Sequence, residues 1–144
     1  MEKQERKLTV DATLTSLDEV VGFVEDSLST TSCPMKLTMQ VALCIEELFV
    51  NVASYAYENR QGVCTIRLET QHTDTDGIVF IELTDSGKPF NPLEKEDPDI
   101  TLSADEREIG GLGIYMVKKS MDQVTYDYCN QKNVLRLEKS WHIA

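Results

Sequence analysis

Hydrophobic and polar positions change period several times along this chain, and each change marks an element. Leu8 and Val10 alternate with Thr9 and Asp11, which predicts an edge strand over 7–12. Leu17, Val20, Val24 and Leu28 then recur at helical spacing up to the polar run Ser29-Thr30-Thr31-Ser32. Ser16-Leu17-Asp18-Glu19 in front of them has the form of a capping box. Pro34 opens a longer helix through about Glu58, with Leu37, Val41, Cys44, Leu48, Val52 and Tyr55 as its apolar stripe.

The period falls to two at Cys64, Ile66 and Leu68 and stays there through Ile78–Thr84. The turn residues Asp74-Thr75-Asp76-Gly77 between these runs predict a hairpin. Residues 91–110 carry two prolines, seven acidic and two basic residues, and read as a long loop. Gly110-Gly111-Leu112-Gly113 leads from it into a short helix with Ile114, Val117 and Met121 on one side. Strands Val124–Cys129 and Val134–Lys139, joined by Asn130-Gln131-Lys132-Asn133, close the chain. The order β-α-α-β-β-loop-α-β-β predicts an α+β two-layer sandwich, a mixed, mostly antiparallel sheet with helices on one face. At 144 residues, 1–144 read as a single domain.

Charge narrows the partners. With 14 basic against 25 acidic residues the net charge is −11. That balance argues against a phosphate-neutralising nucleic-acid surface and against an anionic membrane. No apolar run reads as a membrane span and no signal peptide is seen, so the expected compartment is the cytoplasm. Cys33, Cys44, Cys64 and Cys129 lack metal-ligand spacing and read as reduced, partly buried side chains. His72 and His142 have no partner at ligand spacing, so no zinc site is expected.

Three segments carry candidate chemistry. On the long helix, Glu47 and Asn51 are i, i+4 neighbours beside the apolar stripe, while Glu46 falls on the opposite side. A carboxylate takes a proton and an amide oxygen ligates Mg²⁺, although such a pair also occurs as a plain helix-boundary contact. Asp85-Ser86-Gly87 ends an apolar strand. It reads either as ordinary turn chemistry or as a buried acceptor for an exocyclic amine, with Gly87 admitting a ring. Gly110-Gly111-Leu112-Gly113 stands at a helix start, where backbone N–H groups face a phosphate.

Order and spacing join the three. A helix with Glu47 and Asn51, then Asp85-Ser86-Gly87-Lys88-Pro89-Phe90-Asn91-Pro92, then an acidic loop and Gly111-Leu112-Gly113, resembles the GHKL ATPase superfamily with its Bergerat ATP-binding fold. The likeness covers nearly the whole chain. The small size and Gly110-Gly111-Leu112-Gly113-Ile114-Tyr115-Met116-Val117-Lys118-Lys119-Ser120-Met121-Asp122 look most like its bacterial serine-protein kinase/anti-sigma-factor branch. That resemblance implies ATP and Mg²⁺ as cofactors and phosphorylation of a serine or threonine on a small anti-anti-sigma protein. It also implies a sigma factor as a second partner and a homodimer. Glu47 would be the general base and Asn51 the Mg²⁺ ligand. Asp85 would bind the adenine amine beside Gly87. Gly111 and Gly113 would line the phosphates, 91–110 would form the lid, and Arg107 would approach the γ-phosphate. Two departures stand out: Tyr55 occupies the place of a histidine common in relatives, and Arg107 lies farther from Gly111 than relatives place their arginine.

A non-catalytic ATP-gated binding module and a detached histidine-kinase catalytic domain are the alternatives. The first would bind ATP without transfer. The second would need a dimerisation helix with a phosphoacceptor histidine on another chain, and neither His72 nor His142 sits in such a context.

Overall fold

The structure is a computed structural model that describes residues 1–58, 60–94 and 111–144. Arg107, Gly110 and most of the acidic loop lie outside them. The elements are β1 (Glu2–Asp11), α1 (Leu17–Ser29), α2 (Met35–Asn51), β2 (Val63–His72), β3 (Asp76–Asp85), α3 (Gly111–Ser120), β4 (Gln123–Cys129) and β5 (Lys132–His142). The strands form one sheet in the order β1-β2-β3-β5-β4, and every pairing among the described residues is antiparallel. β1 lies at the edge, as the alternation over 7–12 predicts, but begins five residues earlier at Glu2. That extension has no period of its own. Pairing with β2 supports it, with Glu5 and Arg67 in contact at 3.5 Å.

One face of the sheet is apolar and carries the helices. Val20, Val24 and Leu28 of α1, Val41, Ile45, Leu48 and Phe49 of α2, and Ile114 and Val117 of α3 share a core with Ile66, Leu68, Ile81, Leu83 and Leu137 of the strands. The opposite face carries charge: Glu82 meets Arg136 at 2.9 Å and Arg67 at 3.6 Å. This is the α+β two-layer arrangement expected from the order of elements.

Local signals fail at several points. The capping box does not form. A 3₁₀ turn over Leu14–Ser16 brings Ser16 into helical backbone geometry, and its side chain makes no cap hydrogen bond. The β4–β5 turn is tighter than expected: Asn130 and Gln131 alone form it, both with positive φ, the signature of a two-residue hairpin turn.

The long helix also differs. α-Helical geometry stops at Asn51, and a π-helical turn runs over Val52–Ala56. Tyr55, expected on the buried stripe, is 54 % exposed, and Ala56 and Tyr57 are buried instead. Met35–Ala56 together span 22 residues at mean hydropathy 1.3, long and apolar enough to cross a membrane by length and composition, contrary to the sequence expectation. Its apolar face is packed into the core through Val41, Cys44, Ile45, Leu48 and Phe49.

Candidate nucleotide site

Strand β3 ends under the C-terminal part of α2, so a cleft opens there between the two layers. Leu48, Val52, Leu83 and Leu135 give it apolar walls, and Asn51, Asp85 and Asn133 supply polar groups. Its enclosed space is only about 30 Å³, and about 430 Å³ when the open mouth is included. A mostly apolar concavity with a few convergent polar groups is the usual form of a small-molecule site.

Asp85 is buried, and its two oxygens differ. Oδ1 accepts from the Gly87 N–H at 2.9 Å and from Asn133 Nδ2 at 2.9 Å. Oδ2 has no hydrogen bond among the described residues. The carboxylate is held on one side and open on the other, as an acceptor for a ligand N–H must be. Its charge is felt nearby. The Cys64 thiol faces Asp85 across the β2–β3 ladder and is pushed up to about 12, first by burial and then by that charge.

Asn133 organises this end of the cleft. It faces Asp85 across the β3–β5 register. Its Nδ2 donates to Asp85 and, at 2.8 Å, to the Lys88 carbonyl. Its Oδ1 accepts from the Phe90 N–H at 3.1 Å and from the Tyr126 hydroxyl. Burial holds that tyrosine's hydroxyl above its ordinary pKa.

Gly87 presses against the π-helical turn, where a Cβ would fall 2.2 Å from the Ala56 carbonyl oxygen. Gly113 is as tightly confined. A Cβ there would fall 2.1 Å from the Glu47 Cδ and Oε1 atoms, so α3 brings the backbone of its first turn against the Glu47 carboxylate. Gly111 is the first residue of α3. The structure thus places Asp85 and Asn51 in one cleft, packs Gly87 against Ala56 at its margin, and sets Glu47 against Gly113 one helical turn from Asn51. Arg107 is outside the described residues.

Sequence reasoning missed Asn133, Tyr126 and Tyr57. Asn133 had a signal: it continues the inward set Leu135 and Leu137 at period two, a polar residue on an apolar face. The two tyrosines had none, because what matters is where their hydroxyls reach.

A family model of the histidine kinase-like ATPase domain matches residues 10–139. The chain belongs to this family. Membership in the histidine kinase-like ATPase family implies ATP binding. Among curated proteins, the chain is 29% identical over 105 residues to an anti-sigma F factor of Clostridium botulinum, covering 72% of this chain and 71% of that protein. It is 22% identical over 130 residues to the serine/threonine-protein kinase BtrW of Bordetella bronchiseptica, covering 90% and 89%.

Proposed function

We propose that this histidine kinase-like ATPase, taken over 1–144 as one domain, is a cytoplasmic serine/threonine protein kinase. It transfers the γ-phosphoryl group of Mg²⁺-ATP to a small anti-anti-sigma-like protein and acts as an anti-sigma-type switch, with a sigma factor and a second copy of the chain as further partners. The observation that carries the reading is the half-satisfied Asp85 carboxylate in a cleft that it shares with Asn51, one helical turn from which Glu47 lies against Gly113.

In this reading Asp85 Oδ2 accepts the exocyclic amine of adenine, and Gly87 leaves room for the ring. Gly111 and Gly113 offer backbone N–H groups to the phosphates, and Arg107 contacts the γ-phosphate. Glu47 removes the proton from the serine or threonine hydroxyl as its oxygen bonds to the γ-phosphorus and the bond to the ADP oxygen breaks. Asn51 suits Mg²⁺, which takes few protein ligands and relies on substrate phosphates for the rest. When bound, the ion offsets the phosphate charge in this acidic protein. Positioning, a base and a metal suffice for phosphoryl transfer.

A phosphoacceptor histidine within the chain is disfavoured. His72 and His142 pair with Gly77 and Asp76, at the far end of β3 from Asp85. Nine residues of strand separate those ends, about 30 Å.

The test is single-turnover phosphorylation of an anti-anti-sigma-like protein by wild type and Asn51→Ala. Phosphate on a partner serine or threonine from wild type, lost together with nucleotide affinity in Asn51→Ala, is expected. Tight ATP binding with no transfer to any partner would replace the kinase by an ATP-gated binding module.

A further inference from the structure

The loop after Asp85 is held by the end of the helix that carries Glu47 and Asn51. Ser86 donates its backbone N–H to the Tyr57 hydroxyl at 2.7 Å, and that hydroxyl donates to the Val63 carbonyl at 2.6 Å. Lys88 donates its N–H to the Ala56 carbonyl at 2.9 Å, and its Nζ lies 2.7 Å from Glu58 Oε1. Phe90 tilts against Tyr55 with ring centroids 6.1 Å apart. Ala56 is the last residue of the π-helical turn, where a helix leaves carbonyls without an intrahelical partner. The Lys88 N–H fills that need, so the loop caps the helix.

Among the side chains that make these ties Tyr57 is the most enclosed. Its residue is 9% exposed. Its ring lies over Gly62, where a Cβ would fall 2.2 Å from Cε1 and Cζ. Using its hydroxyl once as acceptor and once as donor fixes that group between the loop and the start of β2. A phenylalanine would fill the same volume and leave the Ser86 N–H and the Val63 carbonyl without this partner.

We infer that Tyr57 is a positioning residue of the nucleotide cleft, one whose hydroxyl fixes the Asp85–Phe90 loop to the end of the π-helical turn that follows α2. The base-reading carboxylate and the pair Glu47–Asn51 then move as one unit. This rests on the nucleotide reading given above, and it assigns Tyr57 no contact with ligand or reacting atoms.

Amide hydrogen exchange and nucleotide affinity of Tyr57→Phe test it. The Ser86 amide should exchange about tenfold faster than in wild type, the equivalent of one net hydrogen bond. Amides in the middle of β2, β3 and β5 should keep their wild-type rates, which shows that the fold is intact. ATP affinity should fall about tenfold, while affinity for Mg²⁺-tripolyphosphate, which has no base to read, should not change. Gly62→Ala, which pushes the ring from its seat, should reproduce both effects. Unchanged Ser86 exchange would overturn the inference, and so would faster exchange with wild-type ATP affinity. Equal weakening of ATP and tripolyphosphate would reduce Tyr57 to a general structural role. If wild type itself binds no ATP, the nucleotide reading fails instead; the exchange data still decide whether Tyr57 holds the loop.

Discussion

Asp85→Asn is the sharpest test of the cleft, because the change is isosteric and its consequence follows from hydrogen-bond direction. Oδ1 already accepts from the Gly87 N–H and from Asn133 Nδ2. An asparagine must keep its oxygen there, since turning its amide over would set an NH₂ against two donors. Its nitrogen then takes the place of Oδ2 and presents N–H groups to the amine of adenine. The variant loses a charged acceptor and gains a donor facing a donor, while the apo protein keeps both internal bonds. A hydrogen bond to a charged group contributes about 1.5–3 kcal/mol, so ATP affinity should fall about 10- to 150-fold. Apo stability should change far less. GTP carries a carbonyl at the corresponding ring position. Wild type should therefore bind it poorly, and Asp85→Asn should narrow the preference for ATP. Titration calorimetry of both proteins with both nucleotides, beside melts of the free proteins, measures each quantity. Wild-type ATP affinity in the variant, or equal affinity of wild type for ATP and GTP, would refute the assignment of Asp85 to the base.

The other predictions concern catalysis, packing and pH. Glu47→Gln should bind Mg²⁺-ATP nearly as wild type does and slow single-turnover transfer by about 10²–10⁴-fold, the usual worth of a general base. Glu46→Gln should match wild type in both assays, and the opposite pattern would show that the wrong carboxylate was chosen. Gly113→Ala should displace the Glu47 carboxylate, whose Cδ and Oε1 lie 2.1 Å from the added carbon, and slow transfer more than it weakens nucleotide binding; undiminished transfer would show that this contact is irrelevant to the base. Cys64 has a folded-state pKa raised from 9.0 to about 12, so its neutral thiol contributes stability in full below pH 9 and loses it as the pH rises toward 12. The loss is about 1.4 kcal/mol per pH unit in that window, and urea melts should show the stability gap between wild type and Cys64→Ala narrowing there. A gap independent of pH would contradict the burial of that thiol.

Regular elements were legible where one face meets the core and the other meets water. Cys64, Ile66 and Leu68 are fully buried, while Arg67 on the opposite face reaches Glu5 and Glu82. That alternation is why β2 and the hairpin it opens were predictable. The order of elements carried part of the fold because two of the four pairings, β2–β3 and β4–β5, are hairpins closed by short turns. What failed were local signals overruled by neighbours. Ser16 could not cap α1 once the preceding 3₁₀ turn had put its own backbone in the helical region. The first residues of β1 are polar and gain their order from pairing with β2 and from the bonds of Gln4 to Thr30 and of Arg6 to Ser27. Asn133 sat in what reads as a turn, and only the β3–β5 register reveals that it faces Asp85.

The largest departure from helical periodicity falls beside the site, and one cause explains both. Continuing the 3.6-residue period past Asn51 would turn Tyr55 inward and leave Tyr57 off the buried face. The wider π-helical turn over Val52–Ala56 delays the register, so Ala56 and Tyr57 become buried while Tyr55 turns to the surface, tilted against Phe90. Single π-helical turns within α-helices are often found at functional sites. Here the turn exchanges ordinary helical bonds for two bonds to the neighbouring loop: the Ala56 carbonyl takes the Lys88 N–H, and the Tyr57 hydroxyl takes the Ser86 N–H. Only a small residue at 56 and none but glycine at 87 allow the backbones to approach so closely, since a Cβ on Gly87 would lie 2.2 Å from the Ala56 oxygen and 2.7 Å from its Cβ. A straight helix would carry Glu47 and Asn51 equally well but would leave the Asp85 loop without this anchor. The irregular turn is therefore the feature that joins the two halves of the cleft, and a sequence read by period alone is blind to it.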